Sequence, residues 1–251
     1  MKAMATSGGT GTRATRIIGV LALAATGLTA LYGLVLSPDD ATQGERVRLL
    51  YVHVPAASLA YLSFFISATA SVLYLVPKTR RVGWDRLAGV SAELGVLYTA
   101  IVLVTGMLWG KISWGTYWTW DARLTSTALL FVLYLGYLAV RRMPASFESR
   151  ARRSAVVSII AVLDLPVVHW AVNWWKTLHP QTTILRLHPE ISGLMAFSLF
   201  LGFVAGILGF VWLLLHRYRL AVLEDAIEAH GLDQAIAERR REAEIATVPA
   251  R

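Results

Sequence analysis

The chain has 251 residues, of which 56% are hydrophobic and only 16% carry a charge. An average soluble domain has about 25% charged residues, so this composition excludes an ordinary soluble protein. The chain has no cysteine, which excludes disulfides, thiolate metal sites and a CxxCH motif for covalent haem attachment.

Six apolar runs are long enough to cross a bilayer, which takes about 17–25 residues. They lie at 17–36, 50–76, 87–110, 124–140, 155–175 and 193–216. The pattern predicts an all-α integral membrane protein with six transmembrane helices. It divides the chain into a disordered N-terminal segment at 1–16, a membrane domain at 17–216 and a tail helix at 217–251.

The basic residues predict the orientation of these helices. With the N-terminus inside, 18 of the 24 Lys and Arg residues fall in cytoplasmic segments, as the positive-inside rule requires. We therefore expect both termini in the cytoplasm and short loops on the outer side of the membrane, here called the periplasmic side. The same bias explains the net charge of +8, which gives no indication of nucleic-acid binding.

Polar residues mark the second and third runs. The second begins with RLLYVHVPAA, which places Arg48 and His53 at its periplasmic end. The third carries Glu93 near its cytoplasmic start. Because a carboxyl group at that depth is costly when it has no partner, we expect Glu93 to be paired or hydrogen-bonded between helices.

The second periplasmic loop is unusually aromatic. WGKISWGTYWTWDARLT at 109–125 holds four of the nine tryptophans. Such a segment is either an interfacial tryptophan belt or a surface for a flat apolar ligand. A belt would occupy both membrane interfaces, whereas seven of the nine tryptophans lie at the predicted periplasmic ends. This uneven distribution of tryptophans between the two interfaces favours ligand binding.

The fifth run is interrupted near its middle. Pro166 predicts a kink there, since proline cannot donate the helical hydrogen bond. Asp164 would either hydrogen-bond in helix packing or relay protons, and the sequence favours packing because no second intramembrane acid aligns with it. His169 follows on the periplasmic side, and the third loop adds His179 and His188.

Histidines, tryptophans and arginines gathered at one membrane face fit a haem. Haem iron takes neutral imidazole axially, the macrocycle stacks on indole rings, and the propionates pair with arginine. His53 and a histidine of the third loop could bind the iron from opposite faces. Arg48 and Arg123 are the nearest partners for the propionates.

These residues also carry a family resemblance. WGTYWTWDARLT at 114–125 resembles the tryptophan-rich WWD signature of haem-handling proteins in c-type cytochrome maturation. Together with YVHVPAA at 51–57 and VNWWKTLHP at 172–180, it makes the chain similar to the CcmC family, haem exporter protein C of the system I pathway. The likeness covers most of residues 17–216.

The resemblance implies a function and a set of site residues. CcmC proteins hold haem b at the periplasmic face and deliver it to the haem chaperone CcmE, in a complex with the ABC-type subunits CcmA and CcmB and the small CcmD. They have no ATPase of their own. The axial ligands would be His53 and His179, with His169 as the second choice for the latter. The resemblance implies that Trp114, Trp118, Trp120 and Asp121 form the platform for the haem, with Tyr117 at a variable aromatic position of the motif. His188 and the tail have no counterpart.

Three other functions compete with this interpretation. A membrane b-type cytochrome would place histidine pairs inside the bilayer, but the third, fourth and sixth runs have no histidine in their cores. A transporter would show broken helices and a cluster of charges at the middle of the membrane. Only Asp164 with Pro166 indicates such a site. A structural subunit would use the aromatic loops to dock a partner. A haem absorption spectrum would separate these possibilities.

Overall fold

The computed structural model describes residues 11–41, 43–179, 191 and 193–246. Its α-helices are α1 (Arg13–Ala30), α2 (Leu50–Leu75), α3 (Val82–Trp114), α4 (Ala122–Arg142), α5 (Phe147–Ala161), α6 (Asp164–Trp174) and α7 (Gly193–Ala246). Six helical segments within this part of the chain are long and apolar enough to cross a membrane, counting α5 and α6 as one. The prediction of an all-α protein with six potential spans is confirmed.

The first helix begins inside the segment predicted to be disordered. Thr12 caps α1, and Thr15 completes a reciprocal capping box that satisfies the first free backbone N–H groups. Helical structure therefore starts at Arg13, before the predicted boundary at 17. Residues 1–10 lie outside the described residues.

The fifth span is two helices, as Pro166 predicts. Proline lacks the N–H that would bond to the carbonyl of Val162, so α5 ends at Ala161 and α6 begins at Asp164. The predicted hydrogen-bonding role of Asp164 is not seen for Oδ2, which is buried without a partner among the described residues.

Helices α2 to α5 form the core of the bundle. The ring of Phe64 on α2 stacks on Tyr134 of α4, with ring centroids 3.8 Å apart. Gly95 of α3 lies against Phe64 so closely that a Cβ there would meet the ring at 2.3 Å. Ser67 and Ser158 hydrogen-bond across the α2–α5 contact at 3.0 Å. Small residues thus bring the helices close together, as in other membrane bundles.

The alternating helices define two ends of the bundle. We call the end with the connections at 37–49, 115–121 and 175–179 the site end, and the opposite one, which carries Arg141 and Arg217, the basic end. Arg217 binds Glu93 through two nitrogens, at 2.5 and 2.9 Å, which confirms the predicted partner for that carboxylate. Arg141 binds Asp85 in the same way, at 2.6 and 2.9 Å.

The predicted tail helix is continuous with the last span. Helix α7 extends to Ala246, well beyond what a bilayer requires. Ion pairs attach this extension to the bundle: Asp225 lies 2.6 Å from Arg86 of α3, and Glu228 lies 3.5 Å from Arg150 of α5.

Candidate functional site

A cleft at the site end lies between α2, α3 and α4, with Val168 of α6 on one side. It contains about 730 Å³ of empty space, including the part open to solvent. The enclosed cavity volume is about 90 Å³, below the about 300–1,000 Å³ of typical small-molecule pockets, so a molecule as large as haem requires the cleft to widen. Five of the residues predicted from the sequence line the cleft: His53, Trp114, Trp118, Arg123 and His179.

His53 is held in one tautomer by α3. The hydroxyl of Thr105 donates its only proton to the carbonyl of Ile101 at 2.7 Å. With the hydroxyl proton on that carbonyl, the oxygen accepts from Nδ1 of His53, which lies 2.9 Å away. The proton on Nδ1 leaves Nε2 with a free lone pair, the form of imidazole that binds a metal.

Two further α3 residues fix the position of the His53 ring. A Cβ at Gly106 would lie 3.3 Å from Cε1 of His53, so glycine allows the imidazole to approach the helix. Trp109 meets the ring edge-on with centroids 5.7 Å apart, and its own Nε1 donates to Gln43 at 3.0 Å. The imidazole is therefore packed and hydrogen-bonded before any ligand arrives.

His179 is positioned by the tryptophan-rich loop. Oδ1 of Asp121 caps α4 by accepting from the backbone N–H groups of Arg123 and Leu124. Its other oxygen accepts from the backbone N–H of Leu178 at 2.7 Å. The ring of Trp114 meets the His179 ring edge-on, with centroids 5.7 Å apart. One carboxylate thus joins the second loop to the residue beside His179.

The environment of His179 favours neutral imidazole. Burial is the largest cause, and with the positive charge of Arg123 it lowers the pKa of His179 from 6.5 to about 4. His53 contributes in the same direction and Asp121 opposes it. His179 is therefore uncharged at neutral pH and able to bind a metal through nitrogen.

Arg123 supplies the positive charge of the cleft. It lies on the first turn of α4 and lines the cleft together with Tyr61, whose hydroxyl its guanidinium approaches. Its charge acts on the histidines on both sides of the cleft. An anionic group entering the cleft would meet this guanidinium.

The other predicted site residues lie around the cleft and do not line it. Trp120 is 83% exposed and meets Trp118 edge-on at 5.8 Å, while Tyr117 is exposed beside Lys111. Arg48 pairs with Asp39 at 3.4 Å.

Of the two alternative histidines, His169 is in the described part of the chain and His188 is not. His169 is exposed on α6 outside the cleft, where its ring contacts Tyr61. His188 lies outside the described residues.

Tyr61, Thr105 and Gly106 also line the cleft or contact His53 and were not predicted from the sequence. Thr105 and Gly106 are small residues that directly precede the tryptophan-rich stretch in an otherwise apolar run, which is a weak signal. Their relation to His53 depends on how α2 and α3 pack, so periodicity along either helix could not reveal it.

The ligating groups suit haem better than a bare ion. Within the described residues, no cluster of three or more His, Cys, Asp or Glu side chains could hold a metal ion. A porphyrin brings four nitrogen ligands of its own, so its iron needs only axial ligands from the protein. Two neutral imidazoles, two indoles and a guanidinium on one cleft match the metal, the apolar ring and the propionates.

Comparison with known proteins gives a consistent result. A family model described as "CcmC: Heme exporter protein C" matches residues 5–233. The chain is 37% identical to a heme exporter protein C of Haemophilus influenzae over 206 residues, 82% of this chain and 83% of the relative. It is 35% identical to that of Escherichia coli K12 over 172 residues, 68% and 69% of the two chains. A putative cytochrome c biosynthesis ccmC-like mitochondrial protein of Marchantia polymorpha is 38% identical over 170 residues, 68% and 71% of the two chains.

Proposed function

Because the chain belongs to the CcmC family of haem exporter proteins, we propose that it binds haem b between His53 and His179 and passes it to a chaperone. Membership in this family supports a role in haem handling for cytochrome c maturation. It also fits a handling subunit in a multi-pass membrane protein better than an enzyme. The specific ligands, the membrane side and the partners are our proposal.

One observation carries the ligand assignment: two histidines from distant parts of the chain line the same cleft. Thr105 leaves Nε2 of His53 free, and burial keeps His179 neutral. Both are the states in which imidazole binds iron. Neither histidine has a carboxylate partner in the described part of the chain that would make it a structural ion pair.

The rest of the cleft serves the porphyrin. Trp114 and Trp118 offer indole surfaces for the macrocycle, and Arg123 offers a guanidinium for a propionate. Arg48 is the second proposed propionate partner. It lies outside the cleft, and its Nε is buried without a partner among the described residues, so it has hydrogen-bonding capacity to spare.

The exposed rim suits delivery to another protein. Trp120 and Tyr117 project from the loop that lines the cleft, with 83% and 55% of their surfaces exposed. Exposed aromatic residues next to a ligand site are common anchors for a protein partner. We propose that CcmE docks here and takes the haem on the periplasmic face of the inner membrane. The family relationship supports assembly with CcmA, CcmB and CcmD.

Paired histidine variants test the ligand assignment. We expect purified wild-type protein to show a haem absorption spectrum. The His53→Ala/His179→Ala variant should bind no more than about one tenth as much haem, because both axial bonds are lost. His216→Ala/His230→Ala removes two imidazoles of α7 and should bind haem like the wild type. Equal haem in wild type and the first variant would overturn the assignment.

A transfer assay tests the delivery step. Haem-loaded protein mixed with purified CcmE should lose its spectrum as CcmE acquires haem. A Trp120→Ala/Tyr117→Ala variant should load haem normally and transfer it more slowly, since the two side chains lie outside the cleft. Normal transfer by this variant would exclude the rim as the contact surface.

A further inference from the structure

Helix α6 carries a series of aromatic side chains on its outer surface. We call His169, Trp170, Trp174 and Trp175 the α6 ladder. Neighbouring rings have centroids 5.6, 5.9 and 5.7 Å apart in that order. The three indoles are 46%, 56% and 52% exposed, and His169 is exposed as well. The ladder runs from within the fifth span to the site end of the bundle.

An interfacial tryptophan belt does not account for this ladder. A belt explains Trp174 and Trp175 at the end of the helix. It does not explain His169, an exposed imidazole on a membrane-spanning segment with no hydrogen bond in the described part of the chain. A polar side chain facing lipid without a partner is costly, and such residues mark functional positions by default.

The ladder lies on the back of the cleft wall. The ring of Tyr61 lines the cleft and also meets the ring of His169, with centroids 6.2 Å apart. Val168, the residue before His169, also lines the cleft. Tyr61 and Val168 therefore lie between the outer imidazole and the inner space.

The helix that carries the ladder is short and separate from α5. Only Val168 and Ala171 of α6 are buried, and the break before Asp164 separates α6 from α5. Movement of α6 would open the wall between the ladder and the cleft.

We propose that the α6 ladder is a docking surface on which haem from the membrane binds first, with His169 as a transient axial ligand, before it enters the cleft beside Tyr61. Haem is a flat, apolar molecule with a metal that binds imidazole, and the ladder offers indoles and one imidazole on a lipid-facing surface. This inference rests on the proposed function, since the cleft must be the destination.

A kinetic experiment tests the route. Ferric haem is preloaded into lipid nanodiscs that contain the protein, and binding is followed by stopped-flow absorption. We expect His169→Ala/Trp170→Leu/Trp174→Leu to slow binding by about tenfold, because two indole rings and one imidazole ligand are lost from the approach surface. Release should slow by the same factor, so that the haem affinity changes by less than about twofold.

Control variants distinguish a slower entry of haem along the α6 ladder from a structural defect of the protein. Phe200→Leu removes another exposed aromatic side chain, on α7, and should bind haem at the wild-type rate. Equal binding rates in the ladder variant and the wild type would overturn the inference while leaving the cleft intact. A ladder variant with weakened affinity and an altered bound spectrum would also overturn it, since α6 would then only shape the cleft. Failure of the wild type to bind haem through His53 and His179 would refute the proposed function itself.

Discussion

The two ends of the bundle use their polar residues in opposite ways. At the basic end, arginines are paired with carboxylates across helices, as in Arg141 with Asp85 and Arg217 with Glu93. At the site end, the cleft gathers two neutral imidazoles, indoles and Arg123, with no carboxylate among its lining residues. At the basic end these arginines are paired within the chain, whereas the cleft at the site end keeps ligating groups for something that is not part of the chain.

The difference shows how a small membrane bundle can be stable and still bind a ligand. Buried ion pairs and small-residue packing hold α2 to α5 together away from the cleft. The site end can then keep unpaired groups, because the rest of the bundle supplies the stability that they do not. Mutations at the two ends should therefore affect different measurements.

The largest expected effect lies at the basic end. Asp85 is only 4% exposed, so Asp85→Asn leaves Arg141 partly buried without a counter-charge. We expect the free energy of unfolding to fall by about 3 kcal/mol, measured by denaturation in detergent. Haem affinity of the folded protein should not change.

A surface pair provides the control for this prediction. Asp39→Asn removes a carboxylate that pairs with Arg48 at 3.4 Å and is 56% exposed, and it should change stability by less than about 1 kcal/mol. A loss of haem binding in Asp85→Asn that exceeds its loss of folded protein would show that the two ends are coupled.

The next effect concerns Asp121. Asp121→Ala removes the cap of α4 and the acceptor for the Leu178 N–H, so His179 loses its fixed position. We expect a loss of about 10- to 100-fold in haem affinity, the usual range for a residue that orients a metal ligand. Asp121→Asn keeps one oxygen for the cap, so its haem affinity should lie between those of the wild type and Asp121→Ala. Titration with haem measures both, and unchanged affinity in Asp121→Ala would refute this role.

A smaller effect is expected at Thr105. Thr105→Val has nearly the same shape but cannot accept the Nδ1 proton of His53, so the tautomer with Nε2 free is no longer enforced. Haem affinity should fall by about tenfold. Thr105→Ser retains the hydroxyl and should bind like the wild type. Equal affinities for the valine and serine variants would show that the hydrogen bond does not matter for binding.

The smallest effect is a weak dependence on pH. The pKa of His179 in the folded chain is about 4, against 6.5 for an ordinary histidine. Between pH 7 and 5.5 its contribution to haem affinity should therefore change by well under twofold, whereas an imidazole of ordinary pKa would lose about eightfold. Haem titration of His53→Ala at both values isolates His179, with the double histidine variant as baseline.

The same pKa predicts the sign of a stability effect. Because His179 has a lowered pKa in the folded state, the unfolded chain binds more protons between pH 6.5 and 4. The stability associated with neutral His179 is present above pH 6.5 and is lost as the pH falls toward 4. Denaturation of wild type and His179→Ala over this range should show a smaller loss in the variant.

Several features of the molecule were predictable from the sequence. The six spans follow from apolar runs, the broken fifth span follows from Pro166, and the need of Glu93 for a partner follows from the cost of an intramembrane carboxylate. The resemblance selected the family, which the comparisons confirm. The ligand assignment to His53 and His179 remains a prediction.

Other features depended on packing between distant segments. Thr105 reaches His53 from 52 residues away, and Asp121 reaches Leu178 from 57 residues away. Neither contact can be recognised from a periodic pattern in the sequence. The sequence also placed Arg48 and Arg123 together as equivalent propionate partners, whereas only Arg123 lines the cleft.

By itself, the sequence determined that this is a six-span helical protein with most of its tryptophan and histidine side chains at one end of the spans, because transfer into a bilayer depends on local composition. Only the tertiary structure decided which histidines share a cleft, which tautomer His53 adopts and what holds His179 neutral. Those properties arise from burial and from hydrogen bonds between segments far apart in the chain, and such contacts exist only once the helices have packed.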